Sequence, residues 1–239
     1  MPANAVVESH GLSVHFGGVA ALDRVSVAIA EKELRCLIGP NGAGKSTFFK
    51  CLTGQLKPSE GTVQIRGEDT TGWNPHEIAR LGVGIKTQVP SVMNGLTARE
   101  NIWLAAKRKN SARTADRIVA ETLDRLKIGE FAGTEVVRLA HGQRQLVELG
   151  IVLAGKPWLI LLDEPAAGLT GEEVQRMVEV IREMNTDASL IIVEHDMHFI
   201  RSIAKIVTVF HQGRVLIEAP VETVLADQKV RDVYLGRKG

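Results

Sequence analysis

Cysteine is scarce here: Cys36 and Cys51 are the only two in 239 residues, with no metal-ligand spacing between them or around them. Both sit in apolar surroundings, so the sequence predicts two buried thiols of a reducing compartment rather than a disulfide or a metal cluster. An excess of either charge is also missing. There are 29 basic and 28 acidic residues, a formal charge of +1, which gives no electrostatic footprint for a polyphosphate backbone and argues against nucleic acid as a partner. No run approaches the ~18 consecutive apolar residues that span a bilayer. The first ten residues, MPANAVVESH, lack the charged and apolar regions of a secretory signal. The expectation is a cytoplasmic chain; if it moves anything across a membrane, a separate protein forms the pore. There is no internal repeat, low-complexity tract or Ser/Gly linker.

With 44% hydrophobic and 24% charged residues, the chain can bury a core of its own and has the length of one α/β domain with a subdomain. Short β-rich runs, Val25 to Ile29, Leu34 to Ile38, Thr62 to Ile65, Trp158 to Leu162, Leu190 to Val193 and Ile206 to Phe210, alternate with longer helical patterns. That alternation implies a mostly parallel sheet, and Leu159 to Leu162, apolar on both faces, belongs at its centre. From Thr97 to Ala154 the pattern is helical, with breaks expected at Gly129, Gly133 and His141-Gly142. This stretch is read as a helical subdomain inserted in the sheet domain. The expected division is a core of residues 1–87 and 157–239 with the insertion at 88–156. From Pro220 onward a helix pair is expected, ending in a basic tail at Arg237-Lys238.

Gly39-Pro40-Asn41-Gly42-Ala43-Gly44-Lys45-Ser46 fits G-x-x-x-x-G-K-[ST], follows the strand Leu34 to Ile38 and opens the helical pattern Thr47 to Leu56. Triphosphate chemistry explains these residue types. Glycines let backbone N–H groups converge on phosphate oxygens, and the helix N-terminus adds its positive dipole end. Lys45 supplies a point charge for the β/γ-phosphates, Ser46 a hydroxyl for Mg²⁺, and Thr47 a contact to the α-phosphate.

At the end of the strand Trp158 to Leu162, Asp163 and Glu164 emerge at the carboxyl edge of a parallel sheet, where ligands bind. Alone, such a pair suits a helix cap or a solvated turn as well. Beside a phosphate loop, Asp163 suits the metal and Glu164 the attacking water.

A third stretch, Leu139-Ala140-His141-Gly142-Gln143, precedes the acidic strand, opens a helix and resembles the LSGGQ signature of ABC ATPases. The resemblance covers essentially the whole chain. It implies a P-loop NTPase (RecA-like) fold: α/β, with a mostly parallel core sheet, an N-terminal antiparallel β part and an inserted helical subdomain. It also implies ATP and Mg²⁺ as ligands, Asn41, Gly42, Gly44, Lys45, Ser46 and Thr47 cradling the phosphates, and Ser46, Gln88 and Asp163 at the metal. Phe16 looks like the aromatic that stacks on adenine, although a core Phe is the alternative. Gln88 looks like the glutamine that reaches metal and water and joins the two parts of the fold. His195, in Val193-Glu194-His195-Asp196-Met197, looks like the switch histidine; an isolated histidine would more often be an ordinary surface residue. Glu164, His195 and Gln88 are thus the implied catalytic set.

In that family two cassettes sandwich two ATP molecules head to tail, so Ala140, His141, Gly142 and Gln143 would face the nucleotide of a second ATPase subunit or a second copy of this chain. Two departures bear on this. Ala140 and His141 stand where the signature has serine and glycine, removing a hydroxyl donor whose loss costs about 1.5–3 kcal/mol. Thr170 stands where the family often has Asp at the dimer seam. The resemblance further implies permease subunits in the membrane, docking near Val89 to Leu96, an extracytoplasmic binding protein, and a place on the inner face of the cell membrane. LAHGQRQLVELG, DEPAAGLT, VEHDM and the ending VRDVYLGRKG resemble importer ATPases for branched-chain amino acids and, more closely, the urea and short-chain amide branch. A non-transport ABC ATPase and a weakly hydrolysing dimer partner are the rival readings.

Overall fold

The computed structural model describes residues 4–235. Two sheets carry it. The first is antiparallel, in the order β2 (Val19–Ala30), β1 (Ala5–Phe16), β4 (Glu60–Ile65), β5 (Glu68–Asp69). The second has the order β10 (Arg214–Pro220), β9 (Ile206–His211), β3 (Leu34–Ile38), β8 (Ser189–Val193), β7 (Leu159–Asp163), β6 (Val83–Lys86). Its neighbours run parallel from β9 to β6, and only β10 is antiparallel, on the edge. The chain is therefore α/β with a mostly parallel core sheet and an N-terminal antiparallel part, as its sequence implies.

The central strands are apolar on both faces because both faces are covered. Cys36, Ile38, Ile160, Leu162, Leu190 and Ile192 join a core shared with the helices α3 (Ala98–Lys107), α4 (Ala112–Arg125), α5 (His141–Ala154) and α6 (Gly171–Met184). Their alternates Leu37, Leu159, Leu161, Ile191 and Val193 turn the other way, onto α1 (Lys45–Leu52) and the antiparallel sheet. Cys36 and Cys51 fall in different cores, and burial pushes both thiols up, Cys51 to about 12, so neither is a nucleophile.

Each sequence-read strand is present, Leu34 to Ile38 with the expected ends and the others with shifted ones. Val25 to Ile29 is part of the longer β2, and β7 starts one residue later than expected and takes in Asp163. The helix expected over Thr47 to Leu56 spans Lys45–Leu52 instead; Thr53 Oγ1 donates back to the Phe49 carbonyl and Gly54, at φ 72°, turns the chain away. His141-Gly142, expected as a break, is the first turn of α5. The helix pair after Pro220 is α8 (Val221–Ala226) and α9 (Gln228–Leu235), α7 (Met197–Ile203) preceding β9. The basic tail at Arg237-Lys238 and the last four residues of the ending VRDVYLGRKG lie outside the described residues. No helix among the described residues is long and apolar enough to cross a membrane.

Candidate active site

Four parallel strands deliver their C-terminal ends to one edge of the sheet: β3 into Gly39, β7 into Asp163 and Glu164, β8 into Glu194 and His195, and β6 into Lys86, Thr87 and Gln88. The loop between β3 and α1 curls around the Lys45 ammonium, which donates to the carbonyls of Gly39 at 2.6 Å and Pro40 at 3.0 Å. Burial holds the Lys45 pKa below its ordinary value, against the opposing pull of Glu164 and Asp163. Asn41, Gly42 and Ser46 are exposed, Thr47 is half-buried, and the amides of Lys45 to Thr47 form the first helical turn, where the helix itself offers no acceptors.

The loop leaves no room for a side chain at Gly39. Its φ is 145°, and a Cβ there would sit 2.3 Å from the Phe210 carbonyl oxygen. The β9–β10 turn presses on the loop from the same side, Gly213 N–H donating to the Ala43 carbonyl at 3.0 Å. Gly39→Ala is therefore expected to cost about 3 kcal/mol of stability from strain and displacement, read as a lower melting temperature and weaker nucleotide binding together. Native melting in that variant would mean the loop is pliable at Gly39.

Glu164 is the meeting point of the site. Its own φ is 48°, a strained value for a side-chain-bearing residue, fixed by its N–H donating to the Val193 carbonyl at 2.9 Å. Gln88 Nε2 donates to one carboxylate oxygen at 2.7 Å, and His195 Nδ1 lies 3.4 Å from the other. The three residues expected to be catalytic, drawn from three separate loops, thus converge on one carboxylate. Asp163, 7% exposed, is different: its Oδ1 is buried without a hydrogen-bond partner. Burial first, then the Glu164 charge, pushes its pKa up to about 6, against the pull of Lys86, Lys50 and Lys45.

Phe16 ends β1 at the tip of the hairpin and is 55% exposed, which removes the core alternative. Partway along that hairpin β2 meets the β9–β10 turn, Asp23 N–H donating to the Gly213 carbonyl at 2.8 Å. The signature segment opens α5. Ala140 occupies the cap position but offers no side-chain acceptor, so only half of a capping box forms, Ala140 N–H donating to Gln143 Oε1 at 3.0 Å. The His141 ring bonds the Ala167 carbonyl through Nε2 at 3.0 Å, tying the start of α5 to the loop after the acidic pair. Gly142 is buried against Glu173 of α6, whose carboxylate would lie 2.3 Å from a Cβ there.

Sequence reasoning missed Glu194. Its carboxylate, 1% exposed, accepts from Ala166 N–H at 3.1 Å and His195 N–H at 2.8 Å, tying the loop after Glu164 to the loop of His195. The only signal was a carboxylate beside the histidine in VEHDM.

The ABC transporter family model matches residues 22–167, taking in the Lys45 loop, the α5 opening and the acidic pair. The chain belongs to the ABC transporter family. This cassette is an ATP-binding, ATP-hydrolysing subunit. It is 32% identical to the high-affinity branched-chain amino acid transport ATP-binding protein BraF of Pseudomonas aeruginosa, over 97% of this chain and 98% of that one. It is 33% identical to LivG of Salmonella typhimurium, a protein of the same description, over 95% and 96%. The cassette superposes on the ADP conformation of MJ1267, an ATP-binding cassette of an ABC transporter, with TM-score 0.88 at 26% identity, covering 98% and 99% of the two chains. It also superposes on a dimeric post-hydrolysis state of the cassette MJ0796 bound to ADP and Pi, with TM-score 0.80 at 25% identity, over 90% and 98%.

Proposed function

We propose that the cassette powers import through separate permease subunits, from the inner face of the membrane, as one half of a nucleotide-sandwich dimer with a sibling or with itself. The observation that supports this most is the Glu164 carboxylate held between Gln88 and His195 at the edge of the Lys45 loop. In this reading Lys45 exchanges its two loop carbonyls for β/γ-phosphate oxygens, and the amides of Gly42, Gly44, Ser46 and Thr47 complete the cradle with Asn41 at its lip. Phe16 stacks on adenine. Glu164 takes the proton of the attacking water, Gln88 holds that carboxylate, and His195 faces the γ-phosphate. Ala140, His141, Gly142 and Gln143 face the nucleotide of the opposite subunit.

Among the described residues no cluster of three or more His, Cys, Asp or Glu could hold a metal alone, which suits an ion that arrives with the nucleotide. The buried, unpartnered Asp163 Oδ1 fits a cation, and Asp163, Ser46 and Gln88 would hold it. Bound there, Mg²⁺ would neutralise charge on the phosphate oxygens.

The segment 88–156 is a helical insertion in the core 1–87 and 157–239 in this reading, and the exposed Val89 and Met93 suit the permease contact. The named relatives favour branched-chain amino acids as cargo; the His141-containing signature favours urea or a short-chain amide as the second reading. Uptake of labelled leucine, urea and acetamide, compared in source cells carrying the native chain or Glu164→Gln, separates them. Selective loss of leucine uptake supports the first, selective loss of urea or acetamide the second, and no change in any of the three counts against import of these substrates.

A further inference from the structure

Lys86, the last residue of β6, lies with its ammonium 3.4 Å from the carboxylate of Glu148 on α5, and both side chains are 3% exposed. A buried ion pair rarely stabilises a fold more than well-packed apolar residues of similar volume, because the desolvation of two charges offsets their attraction. What distinguishes the pair is what it joins. Two residues beyond Lys86 is Gln88, whose amide holds Glu164, and two turns before Glu148 is the start of α5, where His141 and Gly142 lie. Lys86 also stands beside Leu162 in the β6–β7 register, one residue from Asp163, and its charge acts on that carboxylate.

We propose that Lys86 and Glu148 are positioning residues, a buried ionic strut that makes the segment carrying Gln88 and the helix carrying the signature move as one unit. This rests on the hydrolytic reading of Gln88 and Glu164. Two polar groups in an apolar contact tolerate few alternative registers, since any slip strands a charge, so the strut fixes the relative setting of β6 and α5 where two apolar side chains could slide. ATP can bind at the Lys45 loop without it; placing Gln88 on the Glu164 carboxylate requires it.

The test is steady-state ATP hydrolysis by the full chain, with melting temperature, for native protein, Lys86→Met/Glu148→Leu, Glu148→Gln and Glu164→Gln. The double apolar variant is expected to melt at or near the native temperature, keep KM for ATP within about twofold, and lose about tenfold in kcat, the cost of misplacing a catalytic group. Glu148→Gln keeps the shape but leaves the Lys86 charge without its counter-ion, so it is expected to melt below native and to lose about fivefold in kcat with KM unchanged. It carries the test if the double variant does not fold. Native kcat in a folded double variant or in Glu148→Gln overturns the strut, as does a change confined to KM. Glu164→Gln keeps the two ideas apart: if it also turns over at the native rate, the hydrolytic reading itself has failed, whereas an inactive Glu164→Gln beside a fully active double variant sinks the strut alone.

Discussion

Replacing Glu164 with Gln is expected to cut ATP turnover by about 10²–10⁴-fold, the usual worth of a positioned general base, while leaving ATP binding intact. The substitution is nearly isosteric, so little else should change. A glutamine Oε1 still accepts from Gln88 Nε2, now at 2.7 Å from the carboxylate, and the Cβ that the φ of 48° already accommodates is retained. What is lost is the capacity to take a proton from water. Because binding survives and hydrolysis does not, the variant should accumulate as an ATP-bound dimer, seen as an earlier elution position in ATP than in ADP. Single-turnover hydrolysis is the decisive measurement. A rate comparable to the native one would remove Glu164 from the role of base and shift attention to His195, 3.4 Å away.

The parts of the site that were legible in the sequence are those whose chemistry is written in consecutive residues. The Lys45 loop is one turn of chain between a strand and a helix, so its glycines, lysine and serine had to be neighbours. Asp163-Glu164 and His195 are each fixed by the strand they follow, and β7 and β8 announce themselves by burying both faces. The missing parts depend on contacts across the fold. Strand β1 was not visible because the polar Ser9 fills a buried inward position and Gly11 interrupts the alternation, and its pairing with β2 is irregular around Gly11. Strand β6 has four residues, one a glycine and one the buried lysine, and only its parallel pairing with β7 makes it a strand. His141-Gly142 reads as a break by propensity, yet helix begins there because that glycine accommodates the Glu173 carboxylate from α6. The strut between Lys86 and Glu148 was invisible for the same reason: each residue alone is an ordinary surface type.

Asp163→Asn is expected to stabilise the nucleotide-free protein at alkaline pH while disabling the proposed metal site. The folded chain raises the Asp163 pKa from 3.8 to about 6, so between these values the folded state holds a proton that the unfolded chain has released. The sign follows: unfolding free energy falls as pH rises from about 4 to about 6, and above that the ionised carboxylate costs about 3 kcal/mol. Asparagine carries no such charge. At pH 8 and without nucleotide the variant should be more stable than native by up to about 3 kcal/mol, and below about pH 4 the two should converge. Mg²⁺ with ATP should reverse the order, because a cation against the lone Asp163 Oδ1 turns the cost of the charge into binding energy that the amide cannot match. Thermal melts at pH 5 and pH 8, with and without Mg²⁺ and ATP, read all four arms. If Asp163→Asn melts below native at pH 8 in the absence of nucleotide, then Lys86, Lys50 and Lys45 already compensate the carboxylate. The site would then be poised for its own lysines rather than for a metal, and the assignment of Asp163 as metal ligand would lose its physical basis.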